Sequence, residues 1–82
     1  MIENPNFDLH NLPWIGTYGG GLSHFDGSLW NHYNTPDGLN DAFVYDIEFD
    51  KKSLWLATWS GVNKVTGDPA SRKNWQSFTV EN

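Results

Sequence analysis

Trp14-Ile15-Gly16-Thr17-Tyr18 returns as Trp55-Leu56-Ala57-Thr58-Trp59, a step of 41 residues that divides this 82-residue chain into two similar halves. After one extra glycine in the first copy, Gly21-Leu22-Ser23-His24-Phe25-Asp26-Gly27 aligns with Gly61-Val62-Asn63-Lys64-Val65-Thr66-Gly67. The second copy then carries a polar insertion, Asp68-Pro69-Ala70-Ser71-Arg72-Lys73, after which Trp30-Asn31-His32-Tyr33 matches Trp75-Gln76-Ser77-Phe78. Upstream, Phe7-Asp8-Leu9 aligns with Ile47-Glu48-Phe49 when one residue is allowed for. Tandem units of about 40 residues are single supersecondary modules, and each needs a neighbour to bury its apolar face.

Within each unit the apolar runs are short, aromatic or β-branched, and bounded by Gly, Asn, Asp and Pro, which reads as strand and turn rather than helix. Strands are expected near 7–9, 14–18, 22–25 and 29–34 in the first unit, and near 43–49, 54–59, 62–65 and 75–80 in the second. Tyr45-Asp46-Ile47-Glu48-Phe49-Asp50 alternates, which predicts Tyr45, Ile47 and Phe49 on one face and the three carboxylates on the other. No window offers a helical stripe, so helix content should be close to nil. The expected class is all-β: two four-stranded antiparallel units in one chain, the first over about 5–35 and the second over about 40–82.

Four short antiparallel strands per unit, at this period and with Trp and Gly markers, is the pattern of a β-propeller blade. Trp14-Ile15-Gly16-Thr17 followed by Gly19-Gly20-Gly21-Leu22-Ser23-His24-Phe25-Asp26 resembles the two-component regulator propeller repeat. Leu54-Trp55-Leu56-Ala57-Thr58 with Gly61-Val62 is similar but weaker, because Ala57 replaces the usual glycine and Thr66 stands where the first copy has Asp26. Gly38-Leu39-Asn40 through Val44, Ile47 and Asp50 resembles the family's inner-strand pattern. The resemblance spans nearly the whole chain apart from the first six residues and the 68–73 insertion. It implies an extracytoplasmic, sensor-type ancestry, periplasmic or extracellular, although a propeller fold by itself hosts many unrelated activities.

A propeller generally closes with about four to eight blades, so two blades leave two apolar faces uncovered. With 82 residues and no Cys there is no disulfide or thiolate metal site to supplement a small core. Five Trp, three Tyr and five Phe supply dense aromatic packing instead. Because the chain opens with Met1 and holds two near-complete blades, the expectation is a cyclic homo-oligomer with head-to-tail interfaces: three chains for six blades or four for eight. The paired copies also suit a natural or engineered product of duplication. A net charge of −5 argues against sequence-independent binding to nucleic acid or an anionic membrane surface, and no apolar stretch is long enough to span a bilayer as a helix.

Trp14, Trp55, Trp30 and Trp75, with Ile47 and Phe49, are expected to form the repeat core; packing is favoured over an aromatic platform for sugars because buried Trp dominates core energetics. Tyr18 and Trp59 end the second strand of each unit, on the side of the Pro36–Asp41 connection. With Asn40 and Asp41 they are the candidate binding residues for a glycan or other small polar ligand. Asp46, Glu48 and Asp50 form a row with about 7 Å between successive members by strand rise, better read as a solvated wall and turn than as a cation site. His10, His24 and His32 have no metal-ligand spacing, and Gly19-Gly20-Gly21 lacks the Lys-Ser/Thr of a phosphate loop. The expectation is a non-enzymatic scaffold or ligand-binding module without cofactor or metal. The alternative is a multivalent carbohydrate-binding lectin.

Overall fold

The computed structural model describes residues 3–8 and 10–79, and within them the chain is all-β with two short 3-10 turns. Strands β1 (Glu3–Phe7), β2 (Pro13–Thr17), β3 (Leu22–Phe25) and β4 (Trp30–Tyr33) form one four-stranded antiparallel sheet in chain order. Strands β5 (Val44–Phe49), β6 (Ser53–Thr58), β7 (Gly61–Thr66) and β8 (Trp75–Phe78) form the second, in the same order. The 3-10 turns, Thr35–Asp37 and Arg72–Asn74, lie in the connection between the sheets and in the polar insertion.

The registers repeat. Trp14 pairs with His24 and Leu22 with Tyr33, as Trp55 pairs with Lys64 and Val62 with Phe78. Strand β1 departs from expectation: it lies over Glu3–Phe7 and not over 7–9, Leu9 itself falling outside the described residues. Pro5 reads as a breaker, yet β1 is an edge strand pairing only with β2, where a missing N–H costs no ladder bond. Asp8 ends the strand because its Oδ1 accepts the N–H groups of His10 and Leu12 at 2.9 and 3.1 Å. Asp50 does the same for Lys52 and Ser53 at 2.9 and 2.8 Å. Phe7-Asp8 therefore matches Phe49-Asp50, two positions away from the alignment read off the sequence. Strand β8 stops at Phe78, and Val80 lies outside the described residues.

A second departure lies in β5. Val44 pairs with Thr58 and Asp46 with Ala57, so Tyr45 is an extra residue, a β-bulge. The inward positions become Val44 and Ile47, three apart instead of two, and Tyr45 is turned out to solvent beside Asp46, away from Ile47.

The two sheets bury one core. The first contributes Trp14 and Leu22, the connection Leu39, and the second Val44, Ile47, Leu54, Leu56 and Val65; Tyr33, Phe49 and Trp75 pack against them. Trp14 meets Phe49 edge-on at 6.2 Å between centroids, and Tyr33 meets Trp75 at 5.9 Å. A Cβ on Gly16 would lie 2.8 Å from Val44 Cγ1, so a glycine there lets β2 approach β5. Asn6 Nδ2 donates across the junction to the Ile47 carbonyl at 2.6 Å. Of the expected core residues, Trp14 and Ile47 are buried, Phe49 and Trp75 pack half-buried against them, and Trp55, half-buried, and Trp30, 47% exposed, lie outside the cluster.

Candidate functional site: an aromatic cleft at the sheet junction

The connection from β4 to β5 is held at every step. Asn34 caps the first 3-10 turn, its Oδ1 accepting from Thr35 N at 2.9 Å while Asp37 Oδ2 accepts from Asn34 N at 2.9 Å. Gly38 follows with φ 120°, and a Cβ there would strike the Trp75 side chain at 2.8 Å, so both backbone and space require glycine. Asn63, fully buried, then clamps the segment: its Oδ1 accepts from Asn40 N at 2.7 Å, and its Nδ2 donates to the carbonyls of Gly38 at 3.1 Å and Gln76 at 3.0 Å.

Ala42 and Phe43 stitch the two sheets together. The Ala42 carbonyl accepts from Gly19 N at 3.1 Å and Gly21 N at 2.9 Å in the β2–β3 turn. The Phe43 carbonyl accepts from Trp59 N at 3.1 Å at the end of β6, and Phe43 also bridges to Tyr18. Both turns are fixed from inside by a threonine: Thr17 Oγ1 donates to the Gly21 carbonyl at 2.9 Å, and Thr58 Oγ1 to the Gly61 carbonyl at 2.7 Å. The backbone thus delivers Tyr18, Phe43 and Trp59 to one place, and the bulge at Tyr45 adds a fourth ring.

These four rings line a cleft of about 360 Å³. Phe43 is central, 6.3 Å from Tyr18 at an interplanar angle of 34° and 6.1 Å from Trp59 at 56°. Trp59 is 78% exposed. Asp41 adjoins the cleft and lines a smaller depression with Phe43 and Trp59. Its Oδ2 accepts from Ser60 Oγ at 2.5 Å and its Oδ1 from Phe43 N at 3.0 Å. The Ser60 hydrogen bond, then that from Phe43 N, holds the Asp41 carboxyl below the usual carboxylate range.

Of the residues singled out from sequence, the structure brings Tyr18, Trp59 and Asp41 together. Asn40 is not with them: its backbone N–H goes to Asn63, its Nδ2 to the Val62 carbonyl at 3.2 Å, and its Oδ1 accepts from Ser77 Oγ. It is a clamp between the connection and the second sheet. Phe43 and Tyr45 were missed. The signal for Phe43 was its place immediately before a buried β-branched residue at the head of β5; Tyr45 depends on a bulge that no local pattern announces.

At the opposite end of the sheets a second constellation repeats. Trp14 Nε1 donates to Asp8 Oδ2 at 3.0 Å, and Trp55 Nε1 to Asp50 Oδ2 at 3.1 Å. The cross-strand partner of each Trp covers its indole: His24 stacks on Trp14 at 3.8 Å and 13°, and Lys64 Nζ lies 5.0 Å from the Trp55 ring centre. His24 Nε2 is buried 3.5 Å from Asp8 Oδ2 without hydrogen-bond geometry. Burial lowers the pKa of His24 against the opposing pull of Asp8 and Asp26. For Asp8, burial acts upward, but the bonds from Trp14, Leu12 and His10 together with His24 outweigh it and the net shift is downward. The first copy lies at the sheet junction, where Trp14 meets Phe49, and the second lies on the outer face of the second sheet, where Trp55 stacks on Phe78. Asp50, expected in an acidic row, is spent on its turn and on Trp55, and no group of three or more metal-ligating side chains occurs among the described residues.

Comparison with protein-family models, curated proteins and solved structures returned no match for this chain.

Proposed function

We propose that the chain is a non-enzymatic, two-blade unit of a β-propeller, similar to the two-component regulator propeller repeat, and that copies of it close head to tail into a ring that serves as a binding scaffold. One observation carries the reading: the contact between the two sheets is heterologous. The first sheet meets the second with its Trp14, Leu22 and Tyr33 face, and the second answers with Ile47, Leu54, Leu56 and Val65. Neither face is met by its own repeat.

Each sheet therefore keeps the face that its counterpart uses. The register equivalents of Trp14, Leu22 and Tyr33 are Trp55, Val62 and Phe78, with Phe78 49% exposed and stacked on Trp55 at 6.2 Å. The equivalents of Leu54, Leu56 and Val65 are Pro13, Ile15 and Phe25, with Trp30 against Phe25 at 5.3 Å. The free face at one end matches the free face at the other in the sense already used inside the chain, and a heterologous contact of that kind closes into a ring when its rotation divides the circle. A trimer gives six blades and a tetramer eight.

The experiment is the solution mass of the 82-residue chain by light scattering coupled to size exclusion. A single trimeric or tetrameric species is expected; a folded monomer sinks the assembly. Turnover of any glycan in a hydrolysis panel would overturn the non-enzymatic part of the reading.

A further inference from the structure

We propose that the cleft walled by Tyr18, Phe43, Tyr45 and Trp59, with Asp41 at its rim, binds a quaternary ammonium group. The cleft lies within one chain, so the inference stands apart from ring assembly. Every described residue lining it is aromatic. The rings are tilted, Tyr18 and Trp59 each turned away from the plane of the central Phe43. Tilted rings present several π faces to one small volume, the arrangement that attracts a diffuse cation within about 6 Å of each ring centre. A sugar asks for something else: one flat ring face and several oriented hydrogen-bonding groups around it. The amide that could have oriented a hydroxyl, Asn40, is spent on Asn63, Val62 and Ser77.

The electrostatics match a cation. Asp41 is fixed by Ser60 and Phe43 N, remains ionised, and adjoins Phe43 and Trp59. No Lys or Arg lines the cleft or its neighbouring depression, and the net charge of −5 draws cations toward the chain. A trialkylammonium suits the aromatic walls better than a primary ammonium, because its charge is spread over methyl groups and it gives up less hydration on entering an apolar cleft.

The test is titration with choline chloride at constant ionic strength, followed by the NMR shift of the Trp59 indole N–H, beside its neutral isostere 3,3-dimethylbutan-1-ol. Choline should saturate and bind at least about fivefold more tightly than the isostere. Trp59→Ala should weaken choline by about tenfold, while Trp59→Phe, which keeps a π face, should keep most of the affinity. Asp41→Asn keeps the Phe43 N–H bond to Oδ1, meets Ser60 Oγ with the donor reversed, from Nδ2, and removes the charge, so it should weaken choline a few-fold at low salt and less at high salt. Trp59 is exposed, so neither of its variants threatens folding. Equal binding of the isostere would reduce the cleft to an apolar slot; saturation by cellohexaose but not choline would make it a glycan site; no saturation by choline would overturn the proposal.

Discussion

His24 lies flat on Trp14 with its Nε2 buried and facing Asp8 Oδ2 at 3.5 Å, a place where an imidazole is easier to hold neutral than charged. Burial outweighs the attraction of Asp8 and Asp26, so its folded pKa lies below the usual value of 6.5. The unfolded chain then takes up the proton first as pH falls, so this group's contribution to stability is fully present above 6.5 and is lost as pH drops toward the lower folded value. The urea midpoint should fall between pH 7.5 and 5.5, and His24→Gln should flatten that fall; an equal slope in both proteins would refute the assignment. Asp26 is a simpler case. Hydrogen bonds from Leu29 and Ser28 N–H and from Asn31 Nδ2 bring its pKa to about 2. Stabilisation from Asp26 is thus present above the usual 3.8 and disappears as pH falls through about 2. Carboxyl NMR should locate that titration, and Asn31→Ala should move it upward.

Elements in this chain are joined by a few close approaches, and each makes a prediction of its own. Gly16→Ala would put a methyl 2.8 Å from Val44 Cγ1 and 2.9 Å from the Val44 carbonyl, which only a backbone shift can relieve. A loss of about 1–3 kcal/mol is expected from such overpacking, measured by urea denaturation. Asn63→Leu keeps the branch point but is bulkier, and it takes away the side-chain partner of the Asn40 N–H and of the Gly38 and Gln76 carbonyls. With about 1–3 kcal/mol for each unsatisfied buried group, the second sheet should lose its hold on the connection, read as raised hydrogen exchange at 38–41. The sequence carried the regular part of this architecture because repeated Trp, Thr and Gly mark the same register twice. It hid what depends on non-local pairing, Pro5 inside an edge strand and the bulge that turns Tyr45 from the core to the cleft, as well as the local Asp8 turn that moves the first strand upstream. Asn40 reads as a ligand-binding amide until Asn63, 23 residues away, is seen to claim its backbone.

At the scale of the whole molecule, the proposed ring depends on how closely a contact between chains would copy the one within. Two positions differ. Ala57 stands at the register of Gly16, so its methyl occupies space that β5 uses inside the chain. Glu48 stands at the register of Asn6, whose side-chain N–H reaches the Ile47 carbonyl; an ionised carboxylate has no proton to donate to the equivalent Pro5 carbonyl of the next chain. The contact between chains should therefore be looser than the one within, and the ring should dissociate on dilution before its subunits unfold. Glu48→Asn restores the donor and Ala57→Gly restores the space, so each should shift the oligomer toward lower concentrations by light scattering, and the pair together further still. Phe78→Glu, which places a charge on the free aromatic face without touching the buried core, should give monomers whose sheet content by circular dichroism is unchanged. If Phe78→Glu left the oligomer intact, chains would have to meet through some other surface, and the match between the two free faces would have no bearing on assembly.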